Sequence, residues 1–324
     1  MKTHRGLDAS AWRRVALTAG LILQLSLAAS AQDQQEHLVP TFTTSVALVP
    51  ITAVVHDGRG RVVRNLTRED FEVLEKGQPR PIVGFTADQQ GPISVAILFD
   101  VSGSMRVAGH TEAGKDVVER LLGALQPGQD EVALFTFEKS LRQHVAFTAD
   151  PDIVRAGLDD VAPARGLTSL YDAIADTTKT LADRPSKRRA VVVITDGVDT
   201  SSKLTPSEVS GLASASDVPV YVIAVVSPLD HPGQRLAVVT EAQQDTGLAN
   251  LAYWTGGNLT MVSAPAHAAL ATRELVAELR QQYLLAVEAA KERGWYGLEV
   301  RTRKRDLSVR ARSGYFAGSK RTSE

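Results

Sequence analysis

Cysteine is absent from the 324 residues. That excludes disulfides, thiolate metal sites, a cysteine nucleophile and a lipid-modified cysteine. It suits an oxidising compartment, where stray thiols are a liability. A charge excess of either sign is also missing: 36 Lys and Arg stand against 37 Asp and Glu, for a net charge of −1. That balance points neither to nucleic acid nor to an acidic substrate. Long apolar runs, internal repeats and low-complexity segments are lacking beyond the N-terminus, so no later stretch reads as a membrane span. What remains, 44% hydrophobic and 23% charged, is ordinary for a chain that buries a core.

The N-terminus is distinctive. Lys2, Arg5, Arg13 and Arg14 precede an apolar run from Val15 to Ala28, and Ala29-Ser30-Ala31 follows as a small-residue cleavage site. This is the layout of a secretory signal peptide, residues 1–31. The run is shorter than the ~20 residues a spanning helix needs. Export to the periplasm or medium is expected, with the mature chain starting at Gln32. Val15-Ala16-Leu17 after the arginine pair fits a twin-arginine signal poorly, so the general secretory route is expected. No transmembrane segment should remain after cleavage.

Residues 32–90 are β-rich. Ser45 to Asp57 and Phe71 to Glu75 alternate as strands, and Asp57-Gly58-Arg59-Gly60 and Lys76-Gly77 supply turns. Thr67 to Asp70 reads as a short capped turn, and Ile82 to Phe85 extends again. The pattern changes over 91–282. Ile93 to Phe99 is continuously apolar, as in a strand buried on both faces. Strands at Glu131–Phe137, Ala190–Thr195, Pro219–Val226 and Asn258–Val262 alternate with helical spacing at Gly109–Leu125, Ser169–Leu181, Ser207–Ser216, Asn250–Trp254 and Ala266–Gln282. The order predicts an α/β fold, a doubly wound, mostly parallel sheet with helices on both faces. Residues 283–324 return to β, with three strands expected at Tyr283–Glu288, Gly297–Arg303 and Leu307–Arg312. Each flank alone is small for an independent core, so the two are expected to pack together as one small β-rich domain. The arginines Arg301 to Arg312 read as a solvated hairpin face, and Lys187-Arg188-Arg189 as a solubilising edge.

Ligands of an open parallel sheet bind beyond the carboxyl ends of its strands. Asp100, Ser102 and Ser104 fall there, directly after the first buried strand. Asp196 follows the third, and Thr168 opens the second helix. Two carboxylates and three hydroxyls, without nitrogen or sulfur, select a hard cation, Mg²⁺ ahead of Mn²⁺. Taken singly, each of these residues is also an ordinary helix cap or turn residue.

These positions resemble the von Willebrand factor type A (VWA) family. Its metal-ion-dependent adhesion site (MIDAS) is an Asp-x-Ser-x-Ser loop with a distant Thr and a distant Asp. Asp100, Ser102, Ser104, Thr168 and Asp196 match all five, and Ile97-Leu98-Phe99-Asp100, Thr168-Ser169-Leu170-Tyr171-Asp172 and Val193-Ile194-Thr195-Asp196-Gly197 look like the family's surrounding words. The likeness covers about Ile93 to Gln282. Val49-Pro50-Ile51-Thr52, Leu66-Thr67-Arg68-Glu69-Asp70-Phe71, Thr255-Gly256-Gly257 and Gly314-Tyr315-Phe316 are similar to an exported bacterial, acidobacterial-type subgroup called VWFA-related. The resemblance implies a non-enzymatic protein-binding module of the cell envelope, holding a partner's Asp or Glu carboxylate on the metal. Two rivals stand beside it. One is a structural envelope scaffold with an inert VWA domain. The other is a serine hydrolase, which the missing Gly-x-Ser-x-Gly elbow disfavours; His231 and His267 offer a base only by assertion.

Overall fold

The computed structural model describes residues 47–87, 91–107, 109–186, 188–226 and 247–318. The expected signal peptide, the start of the mature chain at Gln32, and His231 lie outside these residues. Among the described residues no helix is long and apolar enough to cross a membrane.

A six-stranded sheet runs through the centre. Its strands are β5 (Ile93–Asp100), β6 (Glu131–Phe137), β7 (Leu141–Thr148), β8 (Arg188–Thr195), β9 (Val220–Val225) and β10 (Leu259–Val262). Their spatial order is β10-β9-β8-β5-β6-β7. β5 is parallel to both β6 and β8, and all pairs are parallel except β6 with β7. From β5 the chain builds first toward β7 and then crosses back to build toward β10. The order therefore reverses beside β5, and this switch point opens a crevice at the carboxyl ends of β5 and β8.

The apolar run of β5 is explained by two faces. Ile93, Val95, Ile97 and Phe99 pack with Val117 and Leu121 of helix α1 (His110–Ala124), Leu158 of α2 (Pro151–Asp159) and Leu279 of α6 (Pro265–Arg280). Ala96 and Leu98 pack on the other face with Ile174 of α3 (Leu170–Ala182), Val209 of α4 (Pro206–Ala215) and Leu251 of α5 (Gly247–Trp254). Adjacent strand residues point to opposite faces, so a strand covered twice carries no polar alternation.

β7 and α2 are additions to the sequence reading. β7 is an antiparallel edge strand with most residues partly or fully exposed, so its alternation is weak. α2 is short, but its start is signalled locally: Asp150 accepts a hydrogen bond from Asp152 N at 2.9 Å, and Pro151 occupies the first turn.

The flanks form two four-stranded antiparallel sheets. One is ordered β13 (Leu307–Ala311), β1 (Leu48–Asp57), β11 (Tyr283–Glu288), β4 (Gly84–Thr86). The other is ordered β14 (Gly314–Ala317), β12 (Gly294–Thr302), β2 (Phe71–Glu75), β3 (Gln78–Arg80). N-terminal strands thus pair with C-terminal ones in both, β1 with β11 and β13, and β2 with β12. Ile51, Val55, Phe71, Val73, Leu285 and Val300 share one core. β14 is a fourth strand in a tail where the sequence suggests three.

The arginine readings need correction. Arg301, Arg303 and Lys304 are exposed; Arg301 pairs with Glu299 in its own strand, and Arg303 and Lys304 pair with Glu72 and Asp70 of the N-terminal flank. Arg312 is buried and donates to the carbonyls of Ser214 and Pro50. Arg310 is enclosed beside Glu278. Docking of β13 against β1 and α6 removes from water a strand face that alternation alone assigns to solvent. Arg188 is likewise buried, not solvated.

Candidate metal site at the carboxyl edge of the sheet

Asp100 ends β5 with 0% exposure. Its Oδ1 accepts from Ser102 N at 2.8 Å, and its Oδ2 accepts from the Thr195 hydroxyl at 2.6 Å. Thr195 Oγ1 in turn accepts from Gly197 N at 3.0 Å. The carboxylate is therefore fixed by the ends of two neighbouring strands. Burial, the largest influence, pushes the Asp100 carboxyl up to about 6. The Thr195 and Ser102 bonds lower it, and the nearby Asp196 charge raises it further.

The loop beyond Asp100 is anchored at three points. Val101 N donates to Phe137 O at 3.0 Å, and Val101 O accepts from Ala164 N at 2.7 Å. Met105 is fully buried, and its carbonyl accepts from the Thr111 hydroxyl at 2.8 Å. Between these anchors the Ser102 and Ser104 hydroxyls lie 3.1 Å apart. Ser102 is buried and Ser104 half-buried.

Thr168 is 3% exposed. Its segment is held by a loop the sequence reading did not single out, Asp199 to Ser202. Thr168 N donates to Thr200 Oγ1 at 2.8 Å, and Thr168 O accepts from Ser201 N at 3.0 Å. Leu170 N donates to Asp199 Oδ1, and Tyr171 N to Ser202 Oγ. These side chains satisfy amide donors that the first turn of α3 leaves open. The run Asp199-Thr200-Ser201-Ser202, all capping residue types, was the available signal. Thr195, which orients Asp100, gave none, because it reads simply as the last residue of a strand.

Asp196 is half-buried at the end of β8 and acts electrostatically on Asp100. All five predicted residues thus sit in three loops on one edge of the sheet. Among the described residues no cluster of three or more histidine or carboxylate side chains could hold an ion by itself. A set of two carboxylates and three hydroxyls does not require one.

The donor set fits a hard cation. Adjacent ligand oxygens in an octahedron with metal–oxygen distances of about 2.1 Å lie about 3 Å apart, and the two serine hydroxyls are 3.1 Å apart. Among the described residues no cationic side chain acts on the Asp100 carboxylate, so its buried charge has no partner cation there. Neither serine hydroxyl bonds a histidine among the described residues. His267 bonds Ser263, and His56 bonds Glu278.

Three exposed apolar side chains ring these loops: Val107 at 62%, Leu167 at 56% and Val198 at 50%. Each lies within three residues of a candidate ligand. Exposed basic residues Arg106 and Arg165 share the same loops.

No curated protein matches the chain. Among solved structures, the conserved hypothetical protein BatB from Bacteroides thetaiotaomicron is 20% identical, with 57% of this chain and 97% of that one covered and a TM-score of 0.45. A von Willebrand factor type A protein from Catenulispora acidiphila is 12% identical, covering 83% of this chain and 73% of that one, with a TM-score of 0.47. Proximal thread matrix protein 1 from the mussel byssus, with a zinc occupied MIDAS motif, is 16% identical over 63% of this chain and 50% of that one, with a TM-score of 0.47. Residues 95–199 match the family model for the von Willebrand factor type A domain. The chain therefore contains a VWA domain, whose matched segment runs from the strand that delivers Asp100 to the loop that closes over Thr168.

Proposed function

We propose that this protein is a metal-dependent binding module of the cell envelope, exported by the N-terminal signal and without catalytic activity. Asp100, Ser102, Ser104, Thr168 and Asp196 would hold Mg²⁺, or Mn²⁺ in its place. A dication there supplies a local positive charge and an open coordination position for an external anion. The observation that carries the reading is the pair of serine hydroxyls at octahedral-edge spacing beside a buried carboxylate. Asp100, fixed by Thr195 and Ser102 N, supports the hydroxyl loop and offsets part of the ion's charge. Neutral hydroxyls leave the remainder uncompensated.

The partner in this reading is a protein that presents an Asp or Glu carboxylate. The rim formed by Val107, Leu167 and Val198 supports a carboxylate flanked by apolar side chains, because burying the rim excludes water around the central ion contact. Arg106 and Arg165 favour approach of an acidic segment.

Titration calorimetry tests the site. Mg²⁺ or Mn²⁺ should bind the wild type and raise its stability by about 2.7 kcal/mol at a hundred times Kd. Asp100→Ala should abolish both effects, and Asp196→Ala should weaken them less if it acts through water. Equal Mg²⁺ binding by wild type and Asp100→Ala would falsify the site.

A further inference from the structure

A cavity of about 640 Å³ lies at the seam between the flanking β sheets and the central sheet. Its walls come from the turn after β1, the end of α5, the last turns of α6 and strand β13. Asn258 and Leu259, at the start of β10, line it. It therefore sits at the amino edge of the central sheet, the opposite edge from Asp100 and Asp196.

The bland reading is a packing gap with solvated arginines at its mouth. Three observations weigh against it. The volume lies inside the range of small-molecule sites, about 300–1,000 Å³, and such sites favour seams between structural units. The lining is amphipathic. Leu259, Ala277 and Val309 form an apolar wall. Beside it Glu278 bonds His56 Nε2 at 3.0 Å and pairs with Arg310, so the enclosed charges are matched. The mouth, by contrast, is not matched. Outside that enclosed pair, Arg59, Arg61, Arg64 and Arg273 line the cavity against Asp57 and Glu274.

The arginine turn is also preorganised. The Asp57 carboxylate accepts from Arg59 N at 2.9 Å, Arg61 N at 3.0 Å and Arg61 Nε at 2.8 Å. Val63 N donates to Val55 O at 2.8 Å and closes the hairpin. Arg61 is thereby committed to Asp57. Arg59, Arg64 and Arg273 form no ion pair among the described residues, so their guanidinium groups are available to an incoming anion. Guanidinium donors suit carboxylate, phosphate and sulfate oxygens alike.

We propose that the seam cavity binds a small amphipathic anion, with its acidic group at Arg59, Arg64 and Arg273 and its apolar body against Leu259, Ala277 and Val309. Such a ligand touches the flanking sheets and the VWA domain together, so its binding stabilises their packing. The proposal does not depend on the metal site.

The test uses the full chain without metal, and 8-anilinonaphthalene-1-sulfonate as the probe, read by fluorescence and calorimetry. Saturable 1:1 binding is expected. Raising the salt should weaken it, because exposed guanidinium groups are screened. The double variant Arg64→Ala/Arg273→Ala, altered at exposed positions, should bind at least tenfold more weakly. Ala277→Trp should fill the cavity and abolish binding. Mg²⁺ binding by the arginine variant should match the wild type. Neutral naphthalene-1-methanol should bind far more weakly than the sulfonate. Absence of saturable binding overturns the proposal. So does equal affinity in wild type and arginine variant, which would place the dye elsewhere on the surface. Binding retained by an Ala277→Trp protein with an unchanged thermal midpoint would overturn it equally.

Discussion

Replacing Glu278 by Gln removes the carboxylate that Arg310 and His56 share in an enclosed charge cluster. The side chain of Glu278 is 6% exposed, that of His56 12% and that of Arg310 13%. Solvent screening therefore discounts little of their interaction. Without the carboxylate, Arg310 keeps the Gly256 carbonyl, 3.2 Å from its Nε, as an acceptor, but loses its counter-charge. Breaking a buried pair by removing one partner costs about 3–5 kcal/mol, most of it the penalty of the orphaned ion. A loss of that size should appear in urea unfolding at pH 7 followed by tryptophan fluorescence, with the midpoint shifting at constant slope. Arg310→Met combined with Glu278→Gln should cost less than the sum of the single variants, by more than about 1 kcal/mol. The effect has a defined pH dependence. Burial, the largest influence, would raise the Glu278 carboxyl, but Arg310 and His56 together outweigh it and hold it below its ordinary 4.5. A carboxyl with a lowered folded-state pKa contributes fully above its unfolded value and loses that contribution as pH falls through the folded one. The gap between wild type and Glu278→Gln should therefore narrow below pH 4.5. A loss under about 1 kcal/mol at pH 7, or a gap that widens in acid, refutes the reasoning.

Gly257→Ala should destabilise by roughly 2 kcal/mol or more, because its Cβ would lie 2.0 Å from the Val220 carbonyl oxygen; thermal unfolding at wild-type midpoint would contradict the fit. Gly211→Ala should instead stabilise by about 0.5–1 kcal/mol, since Gly211 lies inside α4 with nothing within 4 Å of the added carbon. Thr195→Val removes the hydroxyl that holds Asp100 Oδ2. Mg²⁺ affinity should drop about 10- to 100-fold by calorimetry, as for other orienting partners of metal ligands, and an unchanged affinity would show that Asp100 needs no such support. Deleting Gly294 to Glu324 removes one of the two strand partners of β2, leaving β3, and one of the two partners of β1. Hydrogen exchange in residues 47–87 should accelerate, and unchanged protection would mean that the N-terminal strands hold without the tail.

The central sheet was legible because its signals are local. Ile93 to Asp100 is apolar without interruption, and the helices announce themselves by periodicity and by caps such as Thr205 with Glu208, which accepts from Thr205 N at 2.8 Å. β7 was missed because an edge strand with one open side carries little pattern, and β14 because four residues are too few to show one. Thr195 escaped notice because its orienting role lies in the bond to Asp100, 95 positions away in sequence.

What the sequence determined by itself is the order and chemistry of the candidate ligands. Each sits at the end of a strand or the start of a helix, and period and turn residues mark those positions locally. Tertiary structure alone decided which strands meet and which charges are buried. Glu278 and Arg310 read, in their own helix and strand, as solvated residues. They became enclosed because β13 packs beside β1, and β1 also brings His56 from 222 positions away. No local period encodes that pairing. Burial is a property of what packs against a residue, so the seam, its cavity and its charge cluster appear only when the two ends of the chain share a core.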